Sequence, residues 1–182
     1  MRKIKLKKNH GILFWITGLS GSGKTRIAKK ISNNVRKNYG KTVVLSGDEI
    51  RNIFNLKGYS YEERLETVLK YCKLAKKITS QNINVIFAVI GMVDVLRKWN
   101  KRNQKNYVEI YIKSDLKKII NAKKKKIYHK KVSKIVGVDI PPEFPKNPDI
   151  IITNDFKKDL DYLSKILLKK IEDLVDKRFW IY

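Results

Sequence analysis

The chain has 182 residues, of which 42% are hydrophobic; this suits one globular domain with a sizeable core and excludes bulk disorder. The 42 lysine and arginine residues outnumber the 17 acidic residues, which gives a formal net charge of +25. The single cysteine, Cys72, excludes an internal disulfide framework. No apolar run approaches the roughly 18–20 residues that a membrane span needs, so we expect a cytoplasmic protein without a membrane partner.

Short apolar segments alternate with helical patterns along the chain. The apolar segments are rich in β-branched residues and almost uninterrupted, as is typical of strands covered on both faces. They are Ile12–Thr17, Thr42–Ser46, 85–90, 107–112 and Ile150–Thr153. Helices are predicted over 25–37, 61–80, 93–101, 116–124 and 157–177. The alternation predicts an α/β fold with a parallel sheet of about five strands flanked by helices, in one domain over 1–182.

The segment 125–148 breaks this alternation. It contains all four prolines of the chain and a cluster of lysines. A loop of this length in a compact domain is more often a lid or a binding loop than a passive linker. We therefore predict a basic lid over about 123–148, which would close over phosphate groups and exclude water. For any single lysine, a solvated run of charge remains the alternative.

The first predicted strand runs directly into a glycine-rich segment with the pattern G-x-x-x-x-G-K-[ST], the P-loop. Its residues are Gly18, Leu19, Ser20, Gly21, Ser22, Gly23, Lys24 and Thr25. Glycines let the backbone approach a phosphate, and successive N–H groups at the start of a helix then face the anion. We expect Lys24 to reach the β- and γ-phosphates and the Thr25 hydroxyl to bind Mg²⁺. The segment predicts binding of a nucleoside triphosphate.

A P-loop occurs in kinases, GTPases and motor ATPases alike. A GTPase would normally carry a base-reading N-K-x-D motif, which this sequence lacks. A large ATPase would need a longer chain. A small kinase with a lid fits both the length and the segment 125–148, so the residues that bind the phosphoryl acceptor are expected after the second strand.

The second predicted strand is followed by Asp48 and Arg51. A carboxylate at the carboxyl end of a parallel strand points into the ligand crevice. Asp48 could deprotonate or orient an acceptor hydroxyl, or hold Mg²⁺ through water. Arg51, three residues on, could bind an anionic acceptor. The alternatives are a helix N-cap for Asp48 and a solvated surface position for Arg51.

In their order and spacing, these motifs resemble those of adenylylsulfate (APS) kinases. The resemblance covers roughly residues 11–155. It is carried by the P-loop and by four further groups of residues: Gly47-Asp48-Glu49-Ile50-Arg51; Gly58-Tyr59-Ser60 with Arg64; Glu109-Ile110-Tyr111-Ile112; and Gly137-Val138-Asp139 followed by Glu143-Phe144-Pro145-Lys146-Asn147-Pro148.

The resemblance implies a P-loop kinase fold that uses ATP and Mg²⁺ and transfers the γ-phosphoryl group to the ribose 3′-hydroxyl of a nucleotide. It implies catalytic roles for Lys24 and for Asp48, which would act at the acceptor hydroxyl and the metal. Arg51 and Arg64 would bind the acceptor's anionic linkage, and Tyr59 would stack on its base. Family members are often dimers, which leaves a homodimer open for this chain.

Departures from the family pattern are confined to the acceptor side. The family's Asn in Glu-Asn-Ile-Arg-Arg is Thr67 here, and its Ile-Ser-Pro-aromatic segment begins at Ile90 but continues Gly-Met-Val. The family's lid Phe, the second wall of the base sandwich, is Ile135. Lys125 aligns with the family's basic lid. We assign Thr67, Ile90, Lys125 and Ile135 to the acceptor site.

Loss of an aromatic wall and of polar contacts indicates either drift or a changed acceptor, since a stacked base is worth about 1–3 kcal/mol. The APS-kinase-like family includes enzymes that phosphorylate cytidine diphosphoramidate. That acceptor keeps the 3′-hydroxyl and the anionic linkage but carries a pyrimidine, and we slightly favour it. Adenylyl sulfate is the alternative, and an inactive or regulatory descendant is a third.

The charge of +25 leaves a function of another class open. Dense lysine and arginine are the footprint of nucleic-acid binding, and a nucleotide-binding protein associated with nucleic acid would use them. Translation of an AT-rich genome would also produce many lysines, and a small anionic ligand would profit from them. We expect a small-molecule nucleotide acceptor as the partner and no nucleic acid.

Overall fold

The structure, a computed structural model, describes residues 10–122 and 134–179. Its centre is one sheet of five strands: β1 (Ile12–Thr17), β2 (Thr42–Ser46), β3 (Asn84–Ala88), β4 (Asn106–Lys113) and β5 (Ile150–Thr153). The strands are arranged in the order β2-β3-β1-β4-β5, and every neighbouring pair is parallel. The carboxyl ends of all five strands therefore lie at one edge of the sheet, and the α/β parallel-sheet prediction is confirmed.

Helices cover both faces of the sheet. They are α1 (Lys24–Tyr39), α2 (Gly47–Ile53), α3 (Tyr61–Thr79), α4 (Asp94–Asn103), α5 (Leu116–Asn121) and α6 (Leu160–Phe179). Helices α1 and α6 pack against each other on one face, and α3 packs against α4 on the other. Since strand side chains alternate between the two faces, each face of β1 contributes to a different core.

The two cores follow from this alternation. Ile12, Phe14 and Ile16 of β1 are fully buried against α1 and α6. Leu13 and Trp15 are fully buried on the opposite face, where Trp15 packs against Phe87 with ring centroids 5.3 Å apart. Burial on both faces explains why β1 reads as an uninterrupted apolar run. It also makes β1 a rigid support for the loop that follows it.

Near the carboxyl edge of the sheet, the elements of the structure differ from the predicted ones. Strand β3 ends at Ala88 rather than at 90, and Ile90 and Gly91 already belong to a turn in which Gly91 has a φ of +50°. Residues 47–53 form a helix of their own, α2, with Ser46 as its N-cap. Helix α6 begins at Leu160 rather than at 157. Just before Leu160, the Asp159 carboxylate accepts a hydrogen bond from the Tyr162 amide at 2.7 Å.

The part of the predicted lid that the structure describes is residues 134–148, and it contains no helix or named strand. Residues 135–140 form a compact turn, in which the Asp139 carboxylate accepts a hydrogen bond from the Ile135 amide at 2.7 Å. The rest of the lid, with Lys125 and the end of the helix predicted over 116–124, lies outside the described residues. Within the described ranges, no helix combines the length and the apolar character required to cross a bilayer.

Candidate active site

The P-loop lies at the carboxyl end of β1, between that strand and α1. Gly21 and Gly23 have φ values of +82° and +96°, a backbone conformation that side chains with a Cβ rarely adopt. At Gly18 a Cβ would lie 2.6 Å from the Ile112 carbonyl oxygen, so the close approach of β1 to β4 also requires glycine. Gly23 is the N-cap of α1, whose first N–H groups therefore face the inside of the loop.

Polar groups line the inside of this loop. The Ser22 hydroxyl is buried and has no hydrogen-bond partner among the described residues. The Lys24 side chain is 7% exposed, and its Nζ donates to the Leu19 carbonyl at 2.7 Å. From the end of β5, the Asn154 amide donates to the Ser22 carbonyl at 3.0 Å and so fixes the loop from outside. A phosphate group in this concave loop could accept hydrogen bonds from these donors.

A cleft of about 800 Å³ opens beside the P-loop, and we call it the larger cleft. Its size lies in the range of nucleotide and drug-sized ligand sites, about 300–1,000 Å³. The P-loop, α2, the end of β3 and the segment that leads into α6 form its walls. Basic groups of Lys24, Arg26, Lys30, Lys157 and Lys158 line it, together with the acidic groups of Asp48, Glu49, Asp159 and Asp161. Lys30 and Asp161 form an ion pair of 2.5 Å between α1 and α6.

Asp48 lies in the first turn of α2. The Ser46 hydroxyl accepts a hydrogen bond from the Glu49 amide at 3.2 Å, so Ser46 starts the helix directly after β2. The Tyr71 hydroxyl donates to the Gly47 carbonyl at 3.0 Å and holds the preceding residue against α3. Burial raises the pKa of Tyr71 to about 12, so this donor stays protonated at neutral pH. The strand end and two hydrogen bonds thus fix where Asp48 lies.

A second, smaller cavity of about 60 Å³ adjoins the larger cleft. We call it the smaller cavity. Four parts of the chain line it: α2, α3, the turn after β3 and the segment 136–141. Its residues are Gly47, Asp48, Arg51, Tyr61, Arg64, Val68, Tyr71, Val89, Ile90, Gly91, Met92, Val93, Val136, Ile140 and Pro141. Among the described residues, Asp48 is the one titratable group that lines both cavities.

Arg51 and Arg64 both contact the ring of Tyr59. Their guanidinium carbons lie 4.6 Å and 5.2 Å from the ring centroid, which is cation–π geometry. Arg51 also donates to the carbonyls of Leu56 and Gly58, at 2.9 and 2.8 Å. Burial, with the positive charge of Arg51 as a second cause, lowers the pKa of Arg64. Two positive charges held this close are stabilised by an anion between them.

The structure brings together most of the residues predicted for the acceptor side. Asp48, Arg51, Arg64 and Ile90 line the smaller cavity. Tyr59 lies next to it, against the two arginines, and its side chain is exposed. Thr67 and Ile135 are buried and are not among the residues that line either cavity. Lys125 lies outside the described residues. The role of each of these residues stays a prediction.

The sequence analysis missed several residues of these walls. Tyr61 and Tyr71 line the smaller cavity, and the Glu143 carboxylate, which lies behind Tyr61 in the hydrogen-bond network, accepts from the Tyr61 hydroxyl at 3.2 Å. Met92, Val136 and Ile140 are apolar, and apolar residues in a sequence carry no signal that separates a cavity wall from a core. For Tyr61 a signal was present, because it follows Ser60, which starts α3 with a capping box; the first side chain of such a helix lies at the carboxyl edge of the sheet.

Two oxygen groups of the larger cleft could hold a divalent metal. The Thr25 hydroxyl and the Asp48 carboxylate both line it. Mg²⁺ prefers oxygen ligands and usually keeps several waters, with only one or two protein groups and the phosphates of the nucleotide completing its shell. Of the described residues, no three His, Cys, Asp or Glu side chains cluster as a metal site. The residues present fit a Mg²⁺ ion that arrives with a nucleotide.

Comparison with known proteins decides the family. Residues 10–153 match the family described as adenylylsulphate kinase. The chain belongs to this kinase family. Its relatives include a cytidine diphosphoramidate kinase of Campylobacter jejuni, 33% identical over 90% of this chain and 98% of that protein. They also include an adenylyl-sulfate kinase of Clostridium kluyveri, 32% identical over 90% of this chain and 85% of that protein.

The fold of this family member is also that of solved kinases. An APS kinase of Mycobacterium tuberculosis in complex with AMPPNP and APS has a TM-score of 0.80 to this chain, with 23% identity over 90% of this chain and 98% of the other. The P-loop kinase fold predicted from the sequence is thereby confirmed. The relatives include kinases for two different nucleotide conjugates, so membership of the family leaves the acceptor open.

Proposed function

We propose that this kinase transfers the γ-phosphoryl group of ATP to the ribose 3′-hydroxyl of a nucleotide conjugate, and that a cytidine diphosphoramidate-type acceptor is favoured. The observation that carries the proposal is the position of Asp48. It lines both the cleft beside the P-loop and the smaller cavity lined by Arg51 and Arg64. A phosphoryl donor in the first and an acceptor in the second would meet at this carboxylate.

The chemistry follows from that position. Asp48 accepts the proton of the acceptor hydroxyl at a carboxylate oxygen while the oxygen attacks the γ-phosphorus, and the bond from phosphorus to the β–γ bridging oxygen breaks. Lys24 leaves the Leu19 carbonyl and places its charge on the phosphate that migrates. Mg²⁺, held by Thr25 and Asp48, would neutralise further phosphate charge. ADP leaves as the second product.

The arginines support an anionic acceptor of either kind. Since both guanidinium groups stack on Tyr59 in this structure, an incoming base would have to displace them from the ring. The smaller cavity of about 60 Å³ is well below the size of a nucleotide site, so the acceptor can enter only when side chains move. The phosphate linkage would attract the displaced arginines, and the base would take their place on Tyr59.

The apolar wall of the smaller cavity supports the choice of acceptor. Where APS kinases carry a lid Phe for the base, this chain has the aliphatic pair Ile135 and Val136. Loss of one stacking wall weakens the binding of a large adenine ring more than that of a smaller cytosine ring. The relative with 33% identity is a cytidine diphosphoramidate kinase, which agrees with this choice. Adenylyl sulfate is the second candidate, supported by the 32% identical adenylyl-sulfate kinase.

A panel of acceptors tests the proposal. Purified protein is incubated with ATP, Mg²⁺ and one of cytidine diphosphoramidate, CDP, CMP or adenylyl sulfate, and the products are identified by mass. A gain of one phosphoryl group, located at the 3′-oxygen by NMR, is expected with the cytidine conjugate. The Lys24→Ala variant is the control for contaminating kinases. No product with any acceptor, or a phosphoryl group at another oxygen, would contradict the proposal.

A further inference from the structure

Glu143 joins three parts of the chain around the smaller cavity. Its Oε2 accepts a hydrogen bond from the Asp94 amide at 2.6 Å, and its Oε1 accepts one from the Tyr61 hydroxyl at 3.2 Å. Its own amide donates to the Met92 carbonyl at 3.1 Å. One residue of the predicted lid is therefore bonded to the turn after β3 and to the starts of α3 and α4. We call these three bonds the Glu143 clip.

The Glu143 clip caps the start of α4, for which the local sequence provides no capping side chain. Val93 is the N-cap of α4 and has no side chain that could accept a hydrogen bond from the first amides of the helix. Glu143, which lies 49 residues after Asp94 in the chain, provides the missing acceptor for the Asp94 amide. A carboxylate at this end of a helix also interacts favourably with the helix dipole. The start of α4 thus depends on a distant side chain for its cap.

A buried ion pair holds the same turn from the side of the sheet. Arg97 of α4 lies 3.2 Å from Glu109 of β4, and both side chains are less than 5% exposed. Arg97 also donates to the Gly91 carbonyl at 3.3 Å. Burial raises the pKa of Glu109, while the charge of Arg97 opposes that shift. Two side chains therefore hold this part of the chain. Arg97 bonds to the turn after β3 at Gly91, and Glu143 bonds to the start of α4 at Asp94.

The clip bonds two residues that line the smaller cavity, Tyr61 and Met92. Val93, which precedes Asp94, lines it too, and so does Pro141, two residues before Glu143. Arg51 and Arg64 also line the cavity, and each donates two hydrogen bonds to backbone carbonyls. The anionic linkage of an acceptor would compete with these carbonyls for the guanidinium groups. The bonds of the clip involve neither guanidinium group, so they can hold Tyr61 and Met92 in place while an acceptor binds.

We propose that Glu143 is a positioning residue for the phosphoryl acceptor: its carboxylate fixes Tyr61 and the turn 92–94 as the wall against which the acceptor is aligned. This inference rests on the proposed function, because it assigns the smaller cavity to the acceptor. It adds a residue that neither the P-loop nor the arginine pair includes, and it explains why a carboxylate stands in a segment that is otherwise rich in proline and apolar side chains.

Steady-state kinetics with three variants test it. Glu143→Ala removes both side-chain bonds and should raise the KM for the acceptor at least about tenfold, with the KM for ATP within twofold. Glu143→Gln can keep both bonds, since its amide oxygen can accept from Asp94 and its NH₂ group can donate to the Tyr61 oxygen; its acceptor KM should stay within about threefold of the wild-type value. Tyr61→Phe removes one bond and should fall between the two.

Glu62→Ala is the matched control, because it removes an exposed carboxylate from the neighbouring position on α3. Its KM values should equal those of the wild type. An acceptor KM within twofold in Glu143→Ala would overturn the inference, as would equal rises for ATP and acceptor. A Gln variant as impaired as the Ala variant would also overturn it, since charge and not position would then be what Glu143 contributes.

Hydrogen exchange separates this inference from the proposed function. Without any acceptor, the Asp94 amide should exchange at least about tenfold faster in Glu143→Ala than in the wild type, while the P-loop amides stay unchanged. If the wild-type protein phosphorylates no acceptor but exchange at Asp94 responds in this way, the proposed function fails and the clip stands. If the acceptor is phosphorylated and exchange at Asp94 does not respond, the clip fails alone.

Discussion

The two sides of Asp48 are built in different ways. On the P-loop side, one contiguous segment provides the site, and much of it is backbone: glycines with positive φ, N–H groups and the start of α1. On the opposite side, four separate parts of the chain meet, and side chains such as Arg51, Arg64 and Tyr61 provide the polar groups. A backbone cradle binds any phosphate, whereas a side-chain wall can change its ligand by a few substitutions.

This difference bears on how such a family diversifies. The P-loop cannot accept a side chain at Gly18 without a clash with the Ile112 carbonyl, so its sequence is constrained by geometry alone. Apolar side chains from α3, the turn after β3 and the segment 136–141 line the smaller cavity, and none of them belongs to a strand of the sheet. New acceptors are therefore expected to arise on this side, while the phosphoryl donor stays the same.

Lys24→Ala should have the largest effect, because it removes the charged side chain of the P-loop side. Loss of the ammonium group that stabilises the migrating phosphoryl group should lower kcat by at least about 10³-fold. The melting temperature should stay close to that of the wild type, because Lys24 packs at the end of the loop and not within either core. Product formation is followed in a coupled ADP assay.

Lys37→Ala is the matched control, since it removes an exposed lysine from the last turn of the same helix. Its kcat should be unchanged. Turnover by Lys24→Ala equal to that of the wild type would contradict the assignment of the P-loop to phosphoryl transfer.

Asp48→Asn should have the next largest effect and acts where the two sides meet. An amide cannot accept the proton of the attacking hydroxyl, so kcat should fall by at least about 10²-fold, as is typical when a general base is removed. The affinity for ATP, measured by calorimetry, should change little. The exposed Asp173 of α6 gives the control variant, Asp173→Asn. If ATP affinity falls together with kcat, Asp48 acts mainly as a metal ligand.

The contrast also explains how much the sequence could predict. The P-loop was predictable because its residues are neighbours in the chain and each has a local reason. Three of the five strands match their predicted bounds, since continuous apolar runs mark strands buried on both faces. Helix α2, with seven residues, was too short to show a helical period. Strand β3 was predicted too long because Val89 and Ile90 are apolar, yet they leave the sheet to line the cavities.

Of the residues predicted for the acceptor side, the charged residues Asp48, Arg51 and Arg64 and the apolar Ile90 line the smaller cavity. Arg51, Arg64 and Asp48 could be named from motifs, but Ile135 was assigned to the acceptor wall where its neighbour Val136 lines the cavity. A shift of one residue reverses which side chain faces a cavity, and a sequence without helical or strand periodicity gives no way to choose. The Glu143 clip joins residues 49 and 82 positions apart, and such contacts depend on the folded chain.

Arg64→Ala should have a smaller effect, confined to the acceptor side. It removes one of the two guanidinium groups that would bind the anionic linkage, so the acceptor KM should rise about tenfold, as expected for one charge-assisted hydrogen bond. Because the proposed partner of Arg64 is the anionic linkage and not the base, the rise should be similar for cytidine diphosphoramidate and for adenylyl sulfate. The KM for ATP should not change.

Arg102→Ala, which removes an exposed arginine from α4, controls for the loss of one positive charge from a chain with a net charge of +25. Its acceptor KM should stay at the wild-type value. A selective loss with only one of the two acceptors would show that Arg64 reads the base.

The smallest expected effect is the preference between the two acceptors themselves. Both carry a ribose 3′-hydroxyl and an anionic linkage, so Asp48, Arg51 and Arg64 should serve both. They differ in the base, for which Tyr59, the ring that both arginines contact, is the predicted stacking residue. A stacked base is worth about 1–3 kcal/mol, and adenine loses more than cytosine when one wall becomes aliphatic. We therefore expect kcat/KM to be a few-fold higher for cytidine diphosphoramidate at saturating ATP.

A preference of more than tenfold for adenylyl sulfate, about 1.4 kcal/mol in transition-state binding, would show that the aliphatic wall is drift and that this protein is an adenylyl-sulfate kinase. Measuring both acceptors with Tyr59→Leu sharpens the result: removal of the predicted stacking ring should lower kcat/KM for both, and should lower it further for the acceptor whose base depends more on stacking.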